Sequence, residues 1–159
     1  MSHLHQALGV FGIGSAGGID ALGWAAVDYL HTALCDHPAA GCIRWYISRA
    51  PADMLPRWDG LDRVILLDAM PVTGPDAGPR WVTPQALEAA GGLSSHGLGI
   101  REAVELAAAL GMRPRLLILG LGVDPEAGQT PADWLAQQGP ALTHAVTARL
   151  QDMQSDEAL

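Results

Sequence analysis

Residues 8–23 read LGVFGIGSAGGIDALG and combine a short apolar run, a series of glycines and a single carboxylate, that of Asp20. A short apolar run bounded by glycine is typical of a buried strand. Glycine lets the backbone turn sharply and approach its neighbours closely. In open α/β sheets, ligands bind at the carboxyl ends of the strands. The stretch therefore predicts a buried strand whose following loop carries Asp20 to the rim of a site.

The composition indicates one globular domain without a strongly basic surface. The chain has 159 residues, of which 49% are hydrophobic and 16% charged, and this excludes a disordered chain. Seventeen acidic residues against nine basic ones give a net charge of −8, which argues against nucleic acid and anionic membranes as partners. No apolar stretch approaches the ~20 residues of a membrane span, and no signal peptide is predicted, so the expected location is cytoplasmic.

Predicted strands alternate with predicted helices along the chain. Besides the run at 8–11, strands are expected at residues 42–47, 64–69, 80–83 and 116–123. Helices are expected at residues 21–34, with a buried stripe at Leu22, Ala26, Leu30 and Leu34, and at residues 100–110, with an apolar face at Ile100, Ala103, Val104 and Ala107. A last helix is expected from Thr130 onward, where Thr130 and Asp133 give a capping-box-like start, with a break or kink at Gly139-Pro140. This order predicts a three-layer αβα single domain with a mainly parallel, twisted sheet over residues 1–153. Residues 154–159 are predicted to be a frayed tail.

Two carboxylates and one imidazole are candidates for a site at the carboxyl edge of this sheet. Asp20 follows the first strand, Asp68 ends the strand at 64–69, and His96 lies in a Ser/Gly-rich loop. A carboxylate at the end of a buried strand is costly to bury unpaired, so Asp68 needs a cap, a cation or a proton. Together the three side chains suit a divalent transition metal such as nickel or zinc. The alternatives are that Asp20 caps the following helix and that His96 is simply exposed.

A second interpretation of the glycines is a phosphate-binding loop. The pattern Gly12-x-Gly14-x-x-Gly17 lies between a strand and a helix, as in the dinucleotide fingerprint of a small Rossmann-like domain. Against this interpretation, Asp20 at the helix start would repel a pyrophosphate where the helix dipole should meet it. A chain of this length also leaves little room for a substrate-binding half.

Several segments, taken in order, resemble the motifs of the nickel–iron hydrogenase maturation endopeptidases. Residues 12–15 (GIGS) and 20–23 (DALG) resemble the opening motif, G-I/V-G-N followed by D-D/E-x-x-G. Residues 66–69 (LLDA) are similar to the second motif, an apolar strand that ends in Asp-Ala. Residues 94–99 (SSHGLG) are similar to the histidine loop, and residues 119–126 (LGLGVDPE) resemble the last strand and the G-I/V-x-P-D/E that ends it.

This resemblance implies a phosphorylase/hydrolase-like fold and a peptidase function. Enzymes of this family remove a C-terminal extension from the hydrogenase large subunit after nickel has been inserted. Their metal-contacting positions correspond to Asp20, Asp68 and His96, which are thereby implied to be the catalytic and metal-contacting residues. The metal is the nickel already carried by the substrate, so no permanent cofactor is implied. The implied partner is the nickel–iron hydrogenase large-subunit precursor.

The chain departs from the family pattern at two places. Ile19 stands where the first acid of the usual acidic pair is expected, so Asp20 alone occupies the ligand position. The loop after the second strand is usually Asp-Gly-Gly-Ser/Thr, whereas residues 47–51 read ISRAP and bring Arg49 to a position where substrate contact is expected. A divergent accessory protein that binds the hydrogenase precursor without cleaving it is therefore a further alternative.

Overall fold

The computed structural model describes residues 6–90 and 99–156, which form five strands and five helices joined by short turns. The strands are β1 (Leu8–Ile13), β2 (Ile43–Ser48), β3 (Arg63–Pro71), β4 (Gly78–Val82) and β5 (Arg115–Val123). The helices are α1 (Leu22–Ala33), α2 (Pro51–Met54), α3 (Pro84–Ala89), α4 (Ile100–Ala109) and α5 (Pro131–Asp156). His96 lies outside the described residues.

The five strands form one sheet in the order β2-β1-β3-β5-β4. β1 pairs in parallel with β2 and with β3, and β3 pairs in parallel with β5. Only β4 runs antiparallel, as an edge strand on β5. Parallel strands need crossover helices that cover both faces, which explains why the central strands are almost continuously apolar. The predicted α/β fold with a mainly parallel sheet and a short edge strand is confirmed.

Two hydrophobic clusters cover opposite faces of the sheet. The first, on the α1/α5 face, packs those helices against strand residues such as Val10 and Ile65. The second, on the α2–α4 face, packs α2, α3 and α4 against residues such as Leu66 and Ile118. Consecutive strand residues point to opposite faces, so Ile65 and Leu66 belong to different clusters. The predicted three-layer αβα arrangement is therefore confirmed.

The last helix is continuous where the sequence allowed either a break or a kink. α5 runs without interruption from Pro131 to Asp156, so Gly139-Pro140 does not break it. Its apolar stripe is buried on both sides of Pro140, at Trp134 and at Leu142. Burial on this scale outweighs the ~3 kcal/mol that an interior proline costs. α5 includes residues 154–156 of the predicted tail.

Other local predictions hold, with one exception. The start of α5 is the predicted capping box, in which Thr130 Oγ1 accepts from the Asp133 N–H and the Asp133 carboxylate accepts from the Thr130 N–H. The predicted buried stripe of α1 is buried throughout. On α4, however, Val104 was expected in the core and is 38% exposed. None of the helices in the described ranges combines the length and apolar content needed to cross a bilayer.

Close backbone approach between β1 and α1 positions the site. A Cβ on Gly12 would overlap the Gly23 carbonyl group, and a Cβ on Gly23 would overlap the Ile13 carbonyl oxygen and lie 2.9 Å from that of Leu67. The first turn of α1 is therefore pressed onto the carboxyl ends of β1 and β3. The loop between β1 and α1, residues 14–21, is in this way held beside the end of β3.

Candidate active site

The carboxyl ends of the parallel strands bring together a row of residues on the α2–α4 face. Ser48 of β2 pairs with Ile13 of β1, and Asp68 of β3 pairs with Gly120 of β5. Gly12 pairs with Leu67, so Asp68 lies one residue beyond the β1–β3 ladder, next to Ile13. Ser48 and Asp68 are both buried, which is unusual for polar side chains. Two polar groups therefore interrupt an otherwise apolar face at the edge where ligands bind in such sheets.

Asp68 is the more perturbed of the two candidate carboxyls. It is only 5% exposed, and its Oδ2 has no hydrogen-bond partner among the described residues. Burial raises the pKa of the Asp68 carboxyl to about 8; the Ala69 backbone N–H opposes this shift, and the charge of Asp20 adds to it. Of the cap, cation or proton that a buried carboxylate needs, burial thus favours the proton on Asp68.

Asp20 lies in a 3₁₀ turn, Gly18–Ala21, directly before α1. The turn is held by a hydrogen bond from the Ser15 N–H to the Asp20 carbonyl oxygen, 3.0 Å long. The N-cap of α1 is Ala21, and no side chain caps the helix, so the alternative that Asp20 serves as its cap is wrong. The Asp20 side chain is exposed, and its charge reaches Asp68 strongly enough to raise the pKa of that carboxyl. The two carboxyls therefore lie at the same rim.

The third member of the predicted metal set, His96, lies outside the described residues. Among residues 6–90 and 99–156, no group of three or more His, Cys, Asp or Glu side chains is placed to hold a metal ion. The described part of the chain thus supplies two carboxyls, and the complete set of Asp20, Asp68 and His96 stays a prediction. An unpartnered buried carboxyl oxygen on Asp68 is nevertheless the kind of acceptor that a divalent cation uses.

Packing explains two of the glycines, Gly12 in β1 and Gly14 in the β1–α1 loop. Gly12 faces the backbone of α1, and a Cβ on Gly14 would overlap the Asp20 carbonyl oxygen. An additional 3₁₀ turn separates these glycines from the start of α1. The phosphate-loop interpretation therefore has no support from the geometry of Gly12 or Gly14.

A cleft beside Ser48 adds residues that the sequence did not single out. The Trp24 Nε1–H and the Gly14 N–H both donate to the Ser48 carbonyl oxygen, at 2.9 and 3.0 Å. These bonds tie α1 and the β1–α1 loop to the end of β2. The cleft has a volume of about 460 Å³. It is lined by Phe11, Trp24, Tyr46, Ile47, Ser48, Arg49, Asp53, Met54 and Arg57.

Of these lining residues, Arg49 alone was a candidate from the sequence. Phe11 and Tyr46 are register partners in the β1–β2 ladder, and their rings stack at 4.8 Å. The Arg57 guanidinium lies 5.6 Å from the centre of the Tyr46 ring. Neither Phe11 nor Tyr46 belongs to a motif, so only the strand register could have indicated that their rings meet.

With this geometry described, the fold can be compared with solved structures. The NiFe hydrogenase maturation protease HycI from Thermococcus kodakarensis KOD1 superposes with a TM-score of 0.57 over 87% of this chain and 93% of its own, at 18% sequence identity. This chain has the fold of that maturation protease. The fold expected from the motif resemblance is thereby confirmed.

Two further solved structures are similar to this chain at lower TM-scores. A hydrogenase 2 maturation peptidase from Thaumarchaeota archaeon SCGC_AB-539-E09 has 19% identity and a TM-score of 0.43, over 94% of this chain and 99% of its own. A protein of unknown function from Thermoplasma acidophilum has 11% identity and a TM-score of 0.45, over 96% and 90% of the two chains. No family model and no curated protein matches the sequence.

Proposed function

We propose that this protein is a cytoplasmic endopeptidase that removes the C-terminal extension of a nickel-loaded hydrogenase large-subunit precursor. The observation that carries the proposal is the buried Asp68 carboxyl. Its Oδ2 has no partner among the described residues, and its pKa responds to the charge of Asp20. The fold shared with HycI, which is a maturation protease, supports the same class of reaction.

In this proposal, the protonation of Asp68 couples cleavage to nickel loading. Without a cation nearby, the pKa of about 8 keeps the Asp68 carboxyl neutral at pH 7. A positive charge favours the ionised form of a carboxyl group. Asp68 would therefore release its proton on meeting the nickel that the precursor carries, and Asp20 and His96 would complete the oxygen and nitrogen contacts. A precursor without nickel would meet a neutral acid and would bind less well.

The hydrolytic step needs a group that moves a proton at the rim. Water adds to the scissile carbonyl carbon, and a carboxylate takes the proton from that water as general base. The same proton then passes to the leaving amine nitrogen as the peptide bond breaks. Asp20 is a candidate for this role because its side chain is exposed and has no hydrogen bond to a described residue. The nickel of the substrate would polarise the scissile carbonyl.

The experiment is a cleavage assay on the nickel-loaded precursor from the same organism, followed by mass spectrometry of the precursor's C-terminus. The wild-type protein should release the extension. Asp68→Asn, Asp20→Asn and His96→Ala should each lower the rate by about a hundredfold or more. Asp152→Asn, an exposed carboxylate on α5, is the matched control and should cleave normally. Unimpaired cleavage by Asp68→Asn or His96→Ala would contradict the assignment.

One observation favours the second candidate, a hydrogenase-binding accessory protein that does not cleave. Ile19 stands where an acid is expected, and its half-buried side chain packs against the α1/α5 face. A core contact thus replaces one carboxylate. Binding of the loaded precursor without loss of mass at its C-terminus would support this candidate. Saturable quenching of tryptophan fluorescence by NADPH would instead support the Rossmann-like alternative.

A further inference from the structure

The cleft beside Ser48 is a second functional feature of this edge of the sheet. The stacked Phe11–Tyr46 pair, here called the floor, lines the cleft, and so does Trp24, whose ring is held by its hydrogen bond to the Ser48 carbonyl oxygen. Ile47 also lines the cleft and is 58% exposed. A partly apolar floor with polar groups above it is typical of a pocket that takes a side chain.

The charged residues of the cleft give it a positive excess. Arg49 and Arg57 line it together with a single acidic residue, Asp53. Within the described ranges, neither arginine forms an ion pair, since the one salt bridge there joins Arg80 to Asp76. The chain as a whole has a net charge of −8 with nine basic residues. A local excess of positive charge in an acidic protein favours the binding of an anionic group at this position.

The contact between Arg57 and the Tyr46 ring helps to hold one of these charges in place. Its guanidinium lies 5.6 Å from the ring centre, which is within the range of a cation–π interaction. A guanidinium stacked on an aromatic ring keeps its N–H groups available at its edge for a carboxylate. The arginine therefore loses less side-chain freedom when an anion binds.

The register of the sheet gives the distance from this cleft to the candidate catalytic carboxyl. Ser48 and Asp68 lie in the same row, separated by one strand, β1. Adjacent strands are about 4.8 Å apart, so the two positions are roughly 10 Å apart across the edge. An extended peptide rises about 3.3 Å per residue, so roughly three residues span this distance.

We propose that the cleft is a specificity subsite that binds an acidic side chain of the precursor, about three residues from the scissile bond. This inference rests on the proposed peptidase function. The occupant is a glutamate or aspartate side chain of a peptide, paired with Arg49 and Arg57, with its methylene groups on the Phe11–Tyr46 floor.

The first test measures peptide binding and does not depend on cleavage. The probes are two fluorescein-labelled pentapeptides with blocked ends, one with a central Glu-Glu pair and one with Gln-Gln, followed by fluorescence anisotropy. The acidic peptide should bind at least about tenfold more tightly at low ionic strength and should lose this advantage at high ionic strength. Arg49→Gln and Arg57→Gln should each weaken its binding by roughly fivefold.

The matched control is Arg113→Gln, an exposed arginine before β5 and therefore at the opposite edge of the sheet. This variant should bind the acidic peptide as the wild type does. Equal affinities for the two peptides, or an equal loss in Arg113→Gln, would overturn the subsite. Displacement of the peptide by free glutamate at the same concentration would overturn the assignment to a peptide.

The second test separates the subsite from the peptidase. Precursor derivatives carry a single glutamate at successive positions on either side of the scissile bond, and kcat/KM is measured for each. The highest value should occur about three residues from the bond, and Arg49→Gln should abolish the preference. Cleavage at equal rates for all derivatives would refute the subsite and leave the peptidase intact. If no precursor is cleaved but the arginine-dependent peptide binding persists, the peptidase proposal fails and the anionic subsite stands.

Discussion

Removal of the titrating group at Asp68 should change how the stability of this protein depends on pH. The pKa of the Asp68 carboxyl is about 8 in the folded chain, against an ordinary value of 3.8, mainly because the side chain is buried. The folded state therefore binds one more proton than the unfolded state between these two pH values. By linkage, the contribution of this group to stability is fully present below pH 3.8 and is lost as the pH rises to about 8.

The magnitude follows from the difference between the two pKa values. Each pKa unit corresponds to about 1.4 kcal/mol, so this carboxyl contributes a slope of up to about −1.4 kcal/mol per pH unit and a total of up to about 6 kcal/mol. A domain of this size is stable by only about 5–15 kcal/mol, so the effect is a large fraction of the whole. Asp68→Asn keeps the shape of the side chain and removes its ionisation, so it should lack this slope.

The assay is urea unfolding of the wild type, Asp68→Asn and Asp152→Asn at a series of pH values from 4 to 9, with a chelator to remove stray metal. The free energy of unfolding of the wild type should fall relative to that of Asp68→Asn as the pH rises. Asp152→Asn should follow the wild type, because that carboxylate is exposed on α5. A difference between the wild type and Asp68→Asn that changes by less than about 1 kcal/mol across this range would refute the reasoning.

Three further predictions concern the contacts that hold the edge of the sheet. Gly23→Ala should lower the free energy of unfolding by about 3 kcal/mol, because its Cβ would overlap the backbone of β1. Gly17→Ala, in the loop before α1, meets open space and should change it by less than about 0.5 kcal/mol in the same urea series. Trp134→Phe removes a buried donor that lies 2.8 Å from the Gly122 carbonyl oxygen and should cost about 2–4 kcal/mol; equal melting temperatures for variant and wild type would contradict this. Thr130→Ala should cost about 1 kcal/mol by circular dichroism melting, whereas Thr130→Ser should restore most of it, since the hydroxyl makes the cap.

Local signals were sufficient to predict most of the fold. Near-continuous apolar runs indicated parallel strands covered on both faces, and the sheet contains three such strands, β1, β3 and β5. Thr130 with Asp133 indicated a helix start because the two side chains satisfy backbone N–H groups three residues apart. At Gly139-Pro140 the local signal allowed a break or a kink, and the helix is not broken. There, Gly139 packs against the Tyr29 ring of α1, and the burial of α5 overrides the preference of proline to end a helix.

In the candidate site, too, some residues could be predicted from the sequence and others only from the tertiary structure. Asp68 could be chosen from the sequence because a carboxylate at the end of a buried strand always needs an explanation. The role of Asp20 as a partner of Asp68, and not as a helix cap, follows from the 3₁₀ turn that separates it from α1. Arg57 gave no local signal at all, because its position over the Tyr46 ring results from the packing of a turn against β2.

The stretch at residues 8–23 contains both features that the sequence alone determines and features that depend on tertiary contacts. By itself the sequence determined that a buried strand, a glycine loop and one carboxylate follow one another, because hydrophobic periodicity and glycine are local properties. Only the tertiary structure decided that Gly12 and Gly14 face the protein's own backbone and that the charge of Asp20 acts on the buried Asp68 carboxyl. The physical reason is that close approach and the pKa of a buried carboxyl depend on neighbours far away in the chain.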